Sequence, residues 1–205
     1  MTPRRYRMSR RAESGLRTRE RIVAAAVGLH EHQGVGSTSW DDVAAAAGVN
    51  RATVYRHFRG LDELIPACAR QAFEAIDLPS RAEIEADLGE LRDPRMRLDR
   101  IVRESCACYE RGAGWLRAAR READLIPALA DVNRRIHDGV AVLVEVALAG
   151  CTPDPRALTA IAVLVDYPFW QQLVDAGVAP HDAPGIITRL TDNLVPPTGG
   201  SHDRA

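Results

Sequence analysis

From Thr18 onward, apolar side chains return every three or four positions. Ile22, Val23, Ala26, Val27 and His30 share one stripe until Gly34 interrupts it, and this period predicts a first helix. Thr38-Ser39-Trp40-Asp41 reads as a capping box, with Thr38 as N-cap and Asp41 at N3, opening a short second helix over Ser39 to Ala47. Asp42 adds negative charge at its positive end. Gly48 ends that helix, because a residue without Cβ takes up the left-handed conformation a tight turn needs. Asn50 caps a third helix, and Val49 before it can staple onto Val54. In this helix Val54 and Phe58 form the inward stripe, and Arg51, Ala52, Thr53, Tyr55, Arg56 and His57 are left outside. Gly60 is expected to close it. A helix, a short turn containing glycine and a second helix make a helix-turn-helix arrangement.

Beyond Leu61 the pattern lengthens into helices at about 62–77, 80–91, 94–111, 113–122, 126–149, 155–175 and 183–194, separated by proline and glycine breakers. Residues 155–175 are apolar nearly all round, which marks a helix covered on several sides. Pro168 frees the carbonyl of Leu164 there and predicts a kink. Ile186, Ile187, Leu190 and Leu194 share one face of the last helix. The fold class is therefore all-α. Its expected organisation is a basic flexible arm over 1–17, a three-helix helix-turn-helix domain over 18–61, a helical domain over 62–194 and a flexible tail over 195–205.

Charge changes this picture more than composition does. The 205 residues carry a formal net charge of −1, yet residues 1–61 hold 11 arginines against 5 acidic residues and residues 62–205 hold 16 against 23. A positive end joined to a negative remainder points to a polyanion met by one end only. No lysine is present, and with the abundance of alanine this fits the codon bias of a high-GC bacterial genome. Cys68, Cys106, Cys108 and Cys151 contain no C-x-x-C pair and read as small buried thiols in a reducing compartment. The basic N-terminus is followed by no apolar stretch of the signal-peptide kind, and the longest apolar run, 139–150, is too short to span a bilayer. A cytoplasmic protein without membrane partners is expected.

The exposed face of the third helix suits a major groove. Arginine bonds bidentately to guanine, threonine and alanine touch a thymine methyl, and tyrosine and histidine donate to phosphate oxygens. The arm residues Arg4, Arg5, Arg7, Arg10 and Arg11 follow the phosphates, enter an adjacent minor groove, or remain a solvated tail.

Residues 18–64 resemble the DNA-binding domain of the TetR family of transcriptional repressors. The resemblance rests on the first helix, the Gly34 to Thr38 approach, Asp42-Val43-Ala44, Ala47-Gly48-Val49, and Thr53-Val54-Tyr55-x-x-Phe58 followed by Asp62-Glu63-Leu64. It implies a homodimer whose third helices enter successive major grooves of a palindromic double-stranded DNA operator. It also implies a C-terminal helical domain that binds a small-molecule effector and dimerises through its two last helices. By position, Thr38, Ser39, Tyr55 and His57 would hold phosphate, and Arg51, Ala52, Thr53 and Arg56 would face bases. Leu61 stands where the family usually places a phosphate-gripping lysine, a contact then either missing or taken over by Arg59. Pro66 falls early in the fourth helix, where it removes a backbone donor.

An effector pocket needs an apolar cavity with a few polar groups, and the candidates are Tyr109, Trp115, Asn133, His137, Tyr167 and Trp170. Each has an ordinary core role as its alternative. The expected function is a dimeric repressor released from its operator by a ligand. The alternatives are a DNA-binding regulator or activator without ligand control and, less favoured, a helical-bundle enzyme. No catalytic residue, cofactor or metal site is expected. The histidines of His30-Glu31-His32 face different ways on a helix and make a poor metal site.

Overall fold

The computed structural model describes residues 3–75 and 81–196, with side chains from 12 and 82 onward in the two segments. Every regular element among the described residues is an α-helix: α1 (Pro3–Gln33), α2 (Trp40–Ala46), α3 (Arg51–His57), α4 (Leu61–Ala75), α5 (Arg81–Gly89), α6 (Pro94–Arg111), α7 (Ala113–Arg121), α8 (Pro127–Ala147), α9 (Pro155–Val165), α10 (Tyr167–Asp175) and α11 (Ala183–Asp192). The chain divides into two compact units. One holds residues up to Ile76 together with Gly114–Asn133, and the other holds Asp77–Ala113 and the residues from Arg134 on. The expected boundary at 61/62 differs from this division, because α4 and nearly all of α7 group with the three N-terminal helices.

In the first unit α1 packs against α2 and α4, and α2 against α3. Their shared core consists of Ile22, Val23, Ala26, Val43, Ala44, Ala47, Val54, Phe58, Leu64, Ala67 and Cys68, with Val49 and Leu61 packed at its edge. Val49, expected to staple onto Val54, packs against the cluster that holds Val54. Leu61 serves this core, which accounts for an apolar residue at the lysine position. Gly34 and Gly48 both adopt positive φ, 88° and 64°, where a Cβ would be strained, and each ends a helix as expected.

Several boundaries differ from the sequence reading. α1 starts at Pro3, so the basic arm is helical and continuous with the first helix. Arginine, alanine, glutamate and methionine favour helix without any apolar stripe, which is why periodicity alone missed it. The side chains of Arg4, Arg5, Arg7, Arg10 and Arg11 lie outside the described residues, as do residues 197–205 of the tail. Ser39 caps α2, with Asp42 at N3, one residue later than expected. The Thr38 hydroxyl donates instead to the carbonyl of Gly34 at 2.6 Å, which removes it from the cap. α3 ends at His57, and Phe58 is already extended, so Gly60 lies in the connection to α4. Pro66 sits inside α4 without ending it.

In the second unit α6 packs against α10 and α11, and α9 against both. The single helix expected over 155–175 is two helices bent by 51°. Pro168 cannot bond to the carbonyl of Leu164 and its ring crowds that group, so the first helix stops at Val165. Asp166 then turns extended and caps α10 through the backbone N–H of Tyr167 at 2.8 Å. No single helix among the described residues is long and apolar enough to cross a membrane, and this bent pair meets the length and composition only when taken together. Cys68 and Cys106 are buried, and burial pushes both thiols up to about 12.

Candidate nucleic-acid interface

The geometry of α3 follows from its two ends and one stripe. Asn50 accepts the backbone N–H of Thr53 at 2.8 Å and fixes the start. Val54 and Phe58 are fully buried and fix the rotation of the helix. Arg51, Ala52, Tyr55 and Arg56 are consequently exposed, and Thr53 and His57 half-buried. All six lie on the face the sequence assigned to them.

The far end of α3 is held by a residue that sequence reasoning missed. Arg19 of α1 donates through Nη1 to the carbonyl of His57 at 2.7 Å, and its guanidinium lies 3.9 Å from the centre of the Phe58 ring. A last-turn carbonyl with no partner inside its own helix is a natural acceptor for a cation. The only signal in the sequence is an arginine within the apolar stripe region of α1, and its partner lies 38 residues away.

Near the start of α3, Arg51 donates through Nη1 to Oδ2 of Asp41 at 2.8 Å and through Nη2 to the Tyr55 hydroxyl at 3.2 Å. The Tyr55 ring in turn rests against Trp40, with centroids 5.3 Å apart. Tyr55 and then Asp41 hold the Arg51 guanidinium above its ordinary range. His57 moves the other way. Burial, with Arg56 and Arg19 nearby, lowers it and favours the neutral imidazole, which still donates one hydrogen bond.

The two hydroxyls expected at the phosphates already have local partners. Thr38 bonds Gly34, and Ser39 accepts the Asp42 N–H at 3.1 Å while donating to its carboxylate at 2.7 Å. Those bonds from the Ser39 hydroxyl and backbone hold Asp42 below the usual carboxylate range.

The effector candidates divide between the two units. Tyr109, Tyr167 and Trp170 are buried together in the second unit, their centroids 5.5 to 6.0 Å apart. His137 meets the same cluster through Asp166 at 2.9 Å. The Tyr109 hydroxyl donates to the carbonyl of Val165 at 3.1 Å, where the break after α9 frees an acceptor. Burial and then Asp166 raise that phenol well above its ordinary value. Trp115 and Asn133 belong to the first unit. There Trp115 packs edge-on to Phe73 at 5.7 Å, and Asn133 donates to the carbonyl of Ala119 at 3.2 Å. Sequence spacing could not divide these six, because the division depends on which unit each helix segment joins. The second unit also carries an open groove of about 430 Å³ that none of the six lines. Its walls include Leu88, Val142 and Val146 with Glu85, Glu145 and Arg97.

A short helix, a glycine turn and a capped helix with a donor-rich exposed face, all seated on α1, define the helix-turn-helix class. The model of bacterial regulatory proteins of the tetR family matches residues 22–68. The regulator SrpR of Pseudomonas putida is 36% identical over 72 residues, 35% of this chain and 32% of that protein. AcrR of Shigella flexneri is 45% identical over 47 residues, 23% of this chain and 22% of that protein. In these matches the chain spans about a third or less of the curated relative's length. Similarity over nearly the whole chain comes from structure. The multidrug binding protein EbrR complexed with imidazole has a TM-score of 0.63 and 26% identity, covering 90% of this chain and 98% of its own. A TetR-family member from Streptomyces coelicolor A3 has the same score and identity, covering 87% and 98%. Residues 22–68 thus match the tetR-family helix-turn-helix module, and the fold of the whole chain is similar to those of TetR-family structures.

Proposed function

We propose that the protein is a sequence-specific DNA-binding transcriptional regulator. It acts in the cytoplasm as a homodimer and is released from a palindromic operator by a small-molecule effector. The observation that carries this reading is the exposed face of α3, with Arg51, Ala52, Thr53, Tyr55 and Arg56 outward over the buried Val54 and Phe58. Arg56 has the reach of a base reader, and Tyr55 and His57 that of phosphate donors.

Dimerisation through the last helices is supported by Val163 on α9 and Leu190 on α11, apolar side chains left 51% and 42% exposed. Two recognition helices must then lie one helical turn of DNA apart, roughly 34 to 36 Å. An effector that favours a different spacing weakens DNA binding, and DNA weakens effector binding by the same factor.

The second unit is the proposed effector domain. The indole N–H of Trp170 is buried without a partner beside Tyr109 and Tyr167, which supports a polar ligand group at that cluster. The structural neighbour EbrR is described as complexed with malachite green, a likeness in keeping with effector control.

Selection of a random duplex pool on the purified protein at near-physiological salt tests the function. Enrichment of a palindrome is expected, and recovery of no consensus would overturn the reading. Within that consensus, Arg56→Ala relaxes the preference at one base pair by about 1 to 3 kcal/mol.

A further inference from the structure

An acid is paired with Arg51 on the surface proposed to read DNA. Asp41, on α2, is bonded through Oδ2 to Nη1 of Arg51 on α3 at 2.8 Å. Both side chains are open to water, at 66% and 53% exposure. An ion pair that exposed adds little to stability, so holding the fold together is a poor explanation for it. Asp41 is also unfavourable to plain phosphate binding, because it cancels one of the positive charges that attract DNA of any sequence.

The pair makes sense if Arg51 reads a base. A phosphate anchor works as a mobile cation. Bidentate recognition of guanine instead needs a planar fork held in one orientation. Three contacts supply that orientation. Asp41 takes one terminal nitrogen, the Tyr55 hydroxyl takes the other at 3.2 Å, and the guanidinium carbon lies 5.4 Å from the centre of the Tyr55 ring. Tyr55 is itself braced by Trp40, the residue next to Asp41 on α2. A guanidinium has five N–H donors, so two bonds to neighbours leave enough for a base edge.

We propose that Asp41 is a specificity-determining residue of the DNA-reading surface: by fixing Arg51 it turns that arginine from a general phosphate contact into a base reader. The inference rests on the DNA-binding reading above. Asp41 acts through Arg51, so it is a positioning residue, and its removal changes which sequences are bound more than whether DNA is bound.

The test repeats the pool selection with full-length wild type, Asp41→Asn, Asp41→Ser, Asp41→Glu, Arg51→Ala and the double variant Asp41→Asn/Arg51→Ala. Glu20→Gln, an exposed acid on α1, controls for charge alone. Asp41→Asn and Asp41→Ser are expected to lose roughly tenfold of their preference at one or two base pairs while binding non-consensus DNA more tightly. Arg51→Ala loosens the same pairs, the double variant loosens them no further, and Asp41→Glu restores them. The inference is overturned if Asp41→Asn strengthens all sequences evenly as Glu20→Gln does. It is equally overturned if the pairs it loosens are not those loosened by Arg51→Ala. A wild-type protein that selects no consensus overturns the DNA-binding reading itself and this inference with it.

Discussion

The carboxylate of Glu122, just past the end of α7, accepts the backbone N–H of Gly36 in the connection between α1 and α2 at 2.6 Å. The Glu122 side chain is only 12% exposed, and its other oxygen meets Arg121 at 3.2 Å. Gly34 makes this approach possible, since a Cβ there would land on the carboxylate. The loop that leads into the helix-turn-helix is thus closed on one side by a residue of the Gly114–Asn133 segment.

Removing either member of that contact destabilises the unit. Glu122→Ala forfeits one charge-assisted hydrogen bond and is expected to lower unfolding free energy by about 1 to 2 kcal/mol. Gly34→Ala adds strain at φ 88° as well as the clash, about 1 to 3 kcal/mol. In the Glu122→Ala background the Gly34→Ala cost shrinks to the backbone part. Denaturant midpoints of the four proteins measure this, and strictly additive losses would show that the two residues do not share the contact.

His30 makes stability depend on pH. It is buried at the base of α1, its Nδ1 has no hydrogen-bond partner, and burial lowers its pKa from 6.5 to about 4, with Glu122 opposing the shift. Between those pH values the unfolded chain binds a proton at this position and the folded chain does not. Stability is therefore undiminished above about pH 6.5 and falls as the pH drops toward 4, by on the order of 3 kcal/mol. His30→Leu, which keeps the site filled and removes the titrating group, flattens that part of the profile. Urea midpoints for both proteins at about pH 7, 5.5 and 4.5 decide it, and equal slopes would assign the dependence to other groups.

Leu190 tests the proposed dimer. It is 42% exposed on α11, and Val163 is 51% exposed on α9, the helix packed against it. Leu190→Glu would place a charge in an apolar contact and is expected to raise the dimer dissociation constant at least tenfold, leaving the helical content of the protomer intact. Light scattering after size exclusion reads the outcome. An unchanged oligomeric state would place the interface elsewhere.

Local chemistry carried the first unit. The spacing of Ile22, Val23 and Ala26, the cap at Asn50 and the left-handed Gly34 and Gly48 concern residues a few positions apart, and such signals survive in a bare string. The sequence is ambiguous locally where two options are nearly equal. Thr38 and Ser39 are both good caps, and a tertiary detail, the Thr38 hydroxyl turning back to Gly34, chose between them. The start of α1 was missed because helix propensity needs no apolar stripe. Pro168 predicts a kink, yet only the folded chain converts it into a full break with Asp166 as the new cap.

What the sequence by itself determined is the helix-turn-helix, its outward face and the positive charge of that end, because these follow from period, capping and composition along one stretch of chain. What only the tertiary structure decided is which distant groups meet. Glu122 reaches Gly36, Arg19 reaches the His57 carbonyl, and Asp41 reaches Arg51. The same holds for the effector candidates, of which Tyr109, Tyr167 and Trp170 pack together in the second unit and Trp115 and Asn133 belong to the first. The physical reason is that a single charged or polar side chain leaves no periodic trace. Its partner is set by how whole helices bury their stripes, and that packing brings together residues whose separation along the chain says nothing about their contact.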